Sequence, residues 1–183
     1  MSTVSDDLGT WLTIKREQVM DSEHNWLMLD MLRDVMRCQP GSGPHRCGTA
    51  AGAVGGLRVP MGGKTGTTDD YTDAWFVGFT PEIVTGIWVG YDLQRRIMNN
   101  AGGGRIVAPA WTKFMRDVYE RRPAPADWRR PDSLITREVD WSNRYLATPF
   151  CPLEVRRWEW FYPGAEPTQV CQVHSPFGVG VSP

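Results

Sequence analysis

Residues 62–71 read GGKTGTTDDY and residues 73–81 read DAWFVGFTP, and these two stretches decide the fold. The first predicts a strand centred near Lys64, which ends in a polar turn of Thr, Asp and Tyr. The second, together with residues 83–91, predicts a hairpin of two largely buried strands joined at Thr80-Pro81-Glu82. The sequence therefore predicts three consecutive strands in a mostly antiparallel sheet.

Lys64 also allows a second interpretation, a phosphate-binding loop of the form G-x-x-x-x-G-K-[ST]. Gly63, Lys64 and Thr65 fit the end of this pattern, but its opening glycine falls on Arg58. Such a loop must also run directly into a helix whose N-terminus faces the phosphates. Here Gly66 and an acidic turn follow instead, which makes ATP or GTP binding a distant alternative.

Helices are predicted both before and after these strands in the chain. Residues 22–37 follow a capping Asp21 and carry an apolar stripe at helical spacing, and the Ala-rich residues 49–54 predict a short helix. A further helix starts near Pro109, and its predicted buried residues are Trp111, Phe114, Met115 and Val118. The predicted fold class is α/β, with the sheet flanked by helices.

A Pro- and Arg-rich stretch at 121–131 predicts a linker between residues 1–120 and a C-terminal extension, residues 132–183. Residues 134–139 and 155–161 predict short strands, so the extension is expected to be small and β-rich. Its aromatic residues are Trp141, Trp158, Trp160, Phe161 and Tyr162. They predict packing of the extension against the sheet; a surface for a partner is the alternative.

The composition excludes several classes of protein. The net charge is -1 and the pI about 6.3, so no nucleic-acid partner is expected. The most apolar stretch, residues 74–91, is interrupted by Pro81 and Glu82 and does not predict a membrane span. The polar, acidic residues 1–7 do not resemble a signal peptide, so a chain made as written would stay in the cytoplasm.

The four cysteines form two local pairs, Cys38 with Cys47 and Cys151 with Cys171, and each pair flanks a Pro-containing segment. In an oxidising compartment they could close two small loops; four reduced thiols are the alternative. A zinc site could also be built from Cys151, Cys171 and His174, but the sequence offers no CxxC pair and no obvious fourth ligand. We therefore predict no metal and no cofactor.

Beyond its K-T-G tripeptide, the stretch around Lys64 resembles the bifunctional, class A penicillin-binding proteins. K-T-G is one of three signatures of penicillin-binding proteins and related β-lactamases. The resemblance continues through residues 73–81 and through WVGYD at 88–92, and it covers residues 17–171. The extension, with TPFCP at 148–152 and EPT at 166–168, resembles that of the 1A type. The resemblance implies the C-terminal part of a penicillin-recognising (DD-peptidase/β-lactamase-like) fold.

The same resemblance implies a substrate-binding set, namely Lys64, Thr65, Gly66, Thr67 and Thr68. Lys64 supplies a cation beside the active site. The Thr65 and Thr67 hydroxyls hold the carboxylate of a D-Ala-D-Ala stem peptide or a β-lactam, and Gly66 lets the ligand approach the backbone. The Thr67 amide supplies half of an oxyanion hole.

The nucleophile of this family is not found in the chain. Its S-x-x-K motif needs a serine three residues before a lysine. The residues in that position are Leu12, Met61 and Ala110, before Lys15, Lys64 and Lys113. No serine has an asparagine two residues on, and no role as a base is predicted for His24, His45 or His174. We therefore predict no catalytic residue and no activity of this chain alone.

The resemblance places the parent reaction, peptidoglycan cross-linking through a serine ester, in the cell envelope. It also implies that two sheet strands and a helical subdomain belong to a missing half of the domain. That half is an expected partner, because without it a sheet edge and an apolar face stay uncovered and the chain should be poorly soluble. The alternative function is a non-enzymatic module that binds cell-wall peptide or a protein.

Overall fold

The structure is a computed structural model, and it describes residues 2–3, 13–14, 17–38 and 47–174. The elements, in chain order, are β1 (Ser2–Thr3), β2 (Thr13–Ile14), α1 (Ser22–Asp34), β3 (Gly62–Thr67), β4 (Asp73–Phe79), β5 (Val84–Gly90), α2 (Gly103–Ile106), α3 (Ala108–Tyr119), β6 (Ile135–Asp140) and β7 (Arg156–Phe161). Short 3-10 turns at Asp69–Tyr71 and Leu153–Val155 precede β4 and β7. β1 and β2 form a separate antiparallel pair.

The central sheet has three antiparallel strands in the order β3-β4-β5. Alternate residues of β4 face opposite sides, so Phe76 is fully buried while Trp75 and Val77 are 47% and 41% exposed. The prediction of two largely buried strands was wrong for β5, where no residue is buried. β5 is an edge strand, and among the described residues the sheet face that carries Trp75 and Val77 is covered only at its Phe79 end, where Trp128 packs.

Helix α3 covers the buried face of this sheet. Its Trp111 is fully buried and meets Phe76 edge to face, with 5.4 Å between the ring centroids. A Cβ on Gly78 would lie 2.3 Å from the Trp111 ring, so the strand must carry glycine there. Of the residues predicted to be buried on this helix, Phe114 is instead 45% exposed, because it lies on the side turned away from the sheet.

Helix α1 starts as predicted and ends earlier than predicted. The Asp21 side chain accepts from the His24 backbone N–H at 2.8 Å and caps the helix. The Ala-rich stretch at 49–54 forms turns and no helix. Its Ala50 N–H donates to Val35 O at 2.9 Å, just after the end of α1, and its Ala53 N–H donates to Ala50 O three residues back, as in a turn.

The C-terminal extension is built on the antiparallel hairpin β6–β7, which packs on α1. Trp26 of α1 meets Trp160 of β7 edge to face at 6.0 Å. Residues 123–131 have no regular secondary structure, but their Trp128 packs on Phe79 at 5.8 Å. Through these contacts α1 and the linker join the extension to the sheet.

Candidate functional site

Strand β3, which carries the predicted site, lies at an edge of the sheet, because β4 is its only neighbour among the described strands. The Thr68 N–H donates to Asp73 O at 3.1 Å, toward β4. N–H groups alternate sides along a strand, so the N–H groups of Thr65 and Thr67 point to the open side. This edge can therefore accept an extended peptide by main-chain hydrogen bonds.

Lys64 places a cation at the same open edge. Its side chain is exposed, and Nζ donates to the Thr65 carbonyl oxygen at 2.8 Å. Because the Thr65 carbonyl shares the side of its own N–H, the ammonium lies beside the outward-facing backbone groups. The other lysine in the described part of the chain, Lys113, lies on α3 and pairs with Asp117 at 2.9 Å.

The hydroxyls of Thr65 and Thr67 are held by the segments that flank β3. Thr67 Oγ1 accepts from the Gly103 backbone N–H at 3.1 Å, and Thr65 Oγ1 lies 2.9 Å from Thr49 Oγ1. A hydroxyl has one donor and two acceptor positions. Thr67 therefore keeps its O–H donor for a further acceptor, such as a carboxylate oxygen.

Glycines allow close packing around this strand. A Cβ on Gly66 would lie 3.2 Å from Trp75 Cβ. The absence of a side chain at residue 66 therefore allows the close contact between β3 and β4, in addition to leaving room for a ligand. A Cβ on Gly103 would lie 2.2 Å from Trp75 O and 2.8 Å from Gly66 O. The start of α2 can thus approach the strand closely enough to bond Thr67 only because residue 103 has no side chain.

Thr68, the last residue of the predicted set, holds the turn between β3 and β4. Its Oγ1 accepts from the Asp73 backbone N–H at 2.8 Å and lies 2.8 Å from Thr72 Oγ1. Asp73 in turn accepts from the Trp88 indole N–H at 3.0 Å. This indole, with the Thr72 hydroxyl, holds the pKa of the Asp73 carboxyl below its usual value. The Thr68 hydroxyl is thus turned into the loop.

The two predicted cysteine pairs differ in their bonding in the structure. Cys38 and Cys47 are joined by a disulfide, while Cys151 and Cys171 are free, buried thiols. The histidines are also placed apart: His24 lies on α1 beside Asp21, and His45 lies outside the described residues. None of the described cysteines and histidines brings a base or a nucleophile to β3.

A second group of polar side chains lies in the extension, where Asp140, Cys151, Cys171 and His174 meet. One donor atom from each residue lies within 4.8 Å of all the others. Asp140 is fully buried, and its Oδ2 lies 2.6 Å from His174 Nδ1 and 3.2 Å from Cys171 Sγ. Sequence reasoning found three of these residues and missed Asp140, which the fold brings to them from the end of β6.

Hydrogen bonds oppose the effect of burial within this group. Burial raises the pKa of Asp140, but donors led by the Ser142 hydroxyl outweigh it and bring the pKa well below its usual value. Burial also raises the pKa of Cys171, but the hydrogen bonds from the His174 backbone N–H and the Asn143 amide have the larger effect, and the pKa of Cys171 is lowered. The Asp140 carboxylate raises the pKa of His174, whereas burial keeps the pKa of Cys151 raised. The group therefore favours a charged carboxylate.

A cavity of about 390 Å³ lies elsewhere in the extension, between the hairpin and the residues that follow it. The guanidinium carbons of Arg144 and Arg157 lie 3.5 Å and 4.5 Å from the centre of the Trp141 ring. Trp160 lines the cavity and also packs on α1. Several of the aromatic residues are thus engaged within the protein, although Trp158 is 65% exposed.

Comparison with known proteins places the chain among penicillin-binding proteins. A family model described as "Penicillin-binding protein 1A, C-terminal domain" matches residues 130–176. Penicillin-binding protein 1A of Aquifex aeolicus is 37% identical over 135 residues, which are 74% of this chain and 17% of that protein. Penicillin-binding protein 1A of Neisseria meningitidis serogroup B is 38% identical over 139 residues, or 75% of this chain and 16% of that protein. The chain thus spans about a sixth of the length of these curated relatives.

A solved structure gives the same result at the level of the fold. The crystal structure of penicillin-binding protein 1A from Haemophilus influenzae superposes with a TM-score of 0.70 and 27% identity. The match covers 83% of this chain and 22% of that one. The predicted fold class, part of a penicillin-recognising α/β fold with antiparallel strands and flanking helices, is confirmed.

Proposed function

Because the chain is related in sequence and fold to a C-terminal region of penicillin-binding protein 1A, we propose that β3 is the substrate-recognition strand of a D-Ala-D-Ala transpeptidase. One observation carries this proposal. β3 is an open sheet edge at which the Lys64 ammonium lies beside the outward-facing N–H groups of Thr65 and Thr67. A cation and a row of backbone donors suit a peptide that ends in a carboxylate.

The roles of the individual residues follow from their free hydrogen-bonding positions. The stem peptide extends along β3 as an additional strand, and Lys64 attracts its terminal carboxylate. Thr67 donates its O–H to a carboxylate oxygen while its lone pair still accepts from Gly103. The Thr67 N–H faces the open edge, where it can stabilise an oxyanion. Thr68 acts indirectly by fixing the turn that follows the strand.

The chain itself contributes binding and not bond making. The reaction of a serine transpeptidase forms an ester between the nucleophile and the penultimate D-Ala carbonyl and expels the terminal D-Ala. The sequence has no serine three residues before a lysine to start that step. We therefore expect no acyl-enzyme on this chain.

Labelling with a fluorescent penicillin tests both parts of the proposal. The purified chain alone is expected to give no labelled band on a denaturing gel, because a covalent ester needs the nucleophile. A band at the mass of this chain that survives boiling would show that it carries its own nucleophile and would contradict the proposed inactivity.

The second arm uses a transpeptidase domain completed with its serine-bearing half. Lys64→Ala is expected to lower the acylation rate by about 10- to 100-fold, the usual effect of losing a charged hydrogen-bonding partner. Lys113→Ala is the matched control, since Lys113 pairs with Asp117 on α3, and it should leave the rate unchanged. Equal rates for the two variants would refute the role of Lys64.

The exposed face of the sheet favours a second candidate function, a protein-binding module. Trp75, Val77, Val84 and Trp88 lie on this face and are between 41% and 74% exposed. Such a face calls for a partner, and the simplest one is the remaining part of a transpeptidase domain. A different protein partner that bound this face without any effect on acylation would favour the non-enzymatic alternative.

The cell envelope is the proposed location, as it is for the family. The Cys38–Cys47 disulfide suits an oxidising compartment. Within the described residues no helix is long and apolar enough to cross a membrane.

A further inference from the structure

The four side chains that meet in the extension are not used by the proposed transpeptidase role. They come from three separate places in the chain: the end of β6, the turn at Cys151, and the turn that runs from Cys171 to His174. Asp140 is fully buried and both cysteines are 3% exposed. A folded protein rarely buries a carboxylate and two thiols together unless they have a common partner.

Backbone hydrogen bonds fix the positions of both sulfur atoms. The Thr148 N–H donates to Cys151 Sγ at 3.3 Å, and the His174 N–H donates to Cys171 Sγ at 3.4 Å. The Cys171 N–H bonds Leu146 O at 2.8 Å, which joins its turn to the strand region. N–H donors directed at sulfur stabilise the thiolate, the form that binds a metal.

The carboxylate is oriented in the same way. Asp140 Oδ1 accepts from both the backbone N–H and the hydroxyl of Ser142, at 2.9 Å and 2.5 Å. This leaves Oδ2 directed at Cys171 and His174. A carboxylate whose first oxygen is held by neighbouring donors, so that its second oxygen can bind, is the arrangement found around metal ligands.

We propose that Asp140 Oδ2, Cys151 Sγ, Cys171 Sγ and His174 Nδ1 bind a structural Zn²⁺ ion. Two thiolates, one imidazole and one carboxylate are all zinc ligands, and together they supply the four donors of a tetrahedral site. With metal–ligand distances of about 2.0–2.3 Å, the donors of a tetrahedral site lie roughly 3.3–3.8 Å apart. The observed donors, all within 4.8 Å, need only small rotations to reach these separations.

The charge of the site can also be accommodated. A Zn²⁺ ion with two thiolates, one carboxylate and a neutral imidazole has a net charge of about -1. Arg156 lies close enough to Cys151 to interact with it electrostatically, and its guanidinium also pairs with Glu138 at 2.6 Å. All four coordination positions come from protein, so the site is a structural one with no position open for catalysis.

Two other interpretations fit the geometry less well. A Cys–His–Asp catalytic group would use one ring nitrogen for the thiol and the other for the carboxylate. Here the same atom, His174 Nδ1, lies 2.6 Å from Asp140 and 3.5 Å from Cys171. A Cys151–Cys171 disulfide is not formed in the structure, where both cysteines are free, and it would not account for the contacts of Asp140 with Cys171 and His174. Zinc uses all four residues and also protects the thiols from oxidation.

Metal content and visible spectra test the proposal on the full 183-residue chain, purified under reducing conditions without chelator. Elemental analysis should find about one zinc per chain. Cys171→Ser and His174→Ala should lose most of it. His24→Ala is the matched control, because His24 also pairs with an aspartate, Asp21, yet lies outside the group; it should keep its zinc.

A measurement on the unmodified chain guards against variants that fail to fold. After removal of zinc, titration with Co²⁺ should give the intense visible bands of a tetrahedral site and the near-ultraviolet band of sulfur-to-cobalt charge transfer. Zinc should then abolish both. The proposal is overturned if the chain binds no stoichiometric metal, if His174→Ala retains as much as His24→Ala, or if a peptide map shows Cys151 linked to Cys171. None of these outcomes depends on transpeptidase function.

Discussion

Asp73 shows how single residues next to β3 set the geometry of that strand. Its carboxylate accepts from the Trp88 indole across the hairpin and from the Thr72 hydroxyl beside it. Its backbone N–H bonds Thr68, so one residue joins β5, β4 and the turn after β3. Because the lowered pKa belongs to the folded state, this carboxylate favours folding only while it is ionised.

The stability contributed by Asp73 should therefore depend on pH. It is present above the unfolded pKa of about 3.9 and is lost as the pH falls through the lower folded value. Asp73→Asn keeps an oxygen acceptor for Trp88 but does not titrate. We expect the urea midpoint of the wild-type chain to fall more steeply between about pH 6 and pH 3 than that of the variant.

Asp69→Asn provides the control for this comparison. Asp69 is an exposed carboxylate of the same turn. The pH dependence of Asp73→Asn is compared with that of the wild-type chain and that of Asp69→Asn. If the urea midpoint of Asp73→Asn falls with pH as steeply as that of the other two proteins, the hydrogen bonds of Asp73 do not lower its pKa on folding.

At the scale of residues, the sequence predicts a site when its parts are adjacent in the chain. Lys64, Thr65 and Thr67 belong to one strand, so a short motif and its flanking residues were enough to propose them as a site. Asp140 lies 11 positions before Cys151 and has no sequence feature that distinguishes it. Only the pairing of β6 with the turns that follow brings it to the two sulfur atoms.

At the scale of elements, the contact of α2 with β3 and β4 decides where the Thr67 hydroxyl points. Gly103 begins α2, and its N–H bonds Thr67 Oγ1. Gly103→Ala would place a Cβ 2.2 Å from Trp75 O, a backbone atom that cannot move without its strand. We expect a loss of about 1–3 kcal/mol in the free energy of unfolding, measured by urea denaturation.

Gly52→Ala is the matched control for this prediction. A Cβ at Gly52 would meet no atom within 4 Å, and its φ is not in the left-handed region. Its stability should be unchanged or raised by up to about 1 kcal/mol, since alanine restricts the unfolded chain. Equal stabilities of the two variants would mean that α2 moves away from the sheet at little cost.

The predicted elements were right where local pattern and tertiary contacts agree. The strands at Lys64 and in the extension, and the helix after Pro109, all lie close to their predicted positions. The Ala-rich segment at 49–54 did not become a helix: its Ala50 N–H bonds Val35 at the end of α1, and its Ala53 N–H bonds Ala50 three residues back, as in a turn. The burial of β5 was overestimated, since an apolar strand does not reveal from its own sequence whether anything covers it.

At the scale of the whole molecule, α3 covers one side of the sheet, while among the described residues the other side is covered only near Phe79, which packs on Trp128. Helix α3 buries Phe76 and Ala74, while the opposite face of the same strands carries Trp75 and Val77 in contact with solvent. The sheet also ends in two edge strands, β3 and β5. If β3 is kept open for the stem peptide, β5 is the edge left for pairing with the remainder of a transpeptidase domain.

This uncovered face should make the isolated chain associate with itself. We expect sedimentation velocity to show an increase in mass with concentration, and we expect the double variant Val77→Thr/Val84→Thr to reduce it. Threonine keeps the β-branched shape that suits a strand, so the substitution changes the polarity of the face and little else. Addition of the serine-bearing half of the domain should suppress association in the same way.

Exposed apolar residues outside the sheet provide a control that separates association through this face from non-specific association. Val19 and Leu153 are 90% and 72% exposed, and neither lies on the central sheet. Val19→Thr/Leu153→Thr removes comparable apolar surface and should leave association unchanged. A wild-type chain that stays monomeric and unfolds cooperatively would mean that the exposed face is tolerated in water, because apolar surface dispersed over two strands need not drive association. The protein would then fold as an independent module, and this result would contradict the proposal that it needs the rest of a transpeptidase domain as its partner.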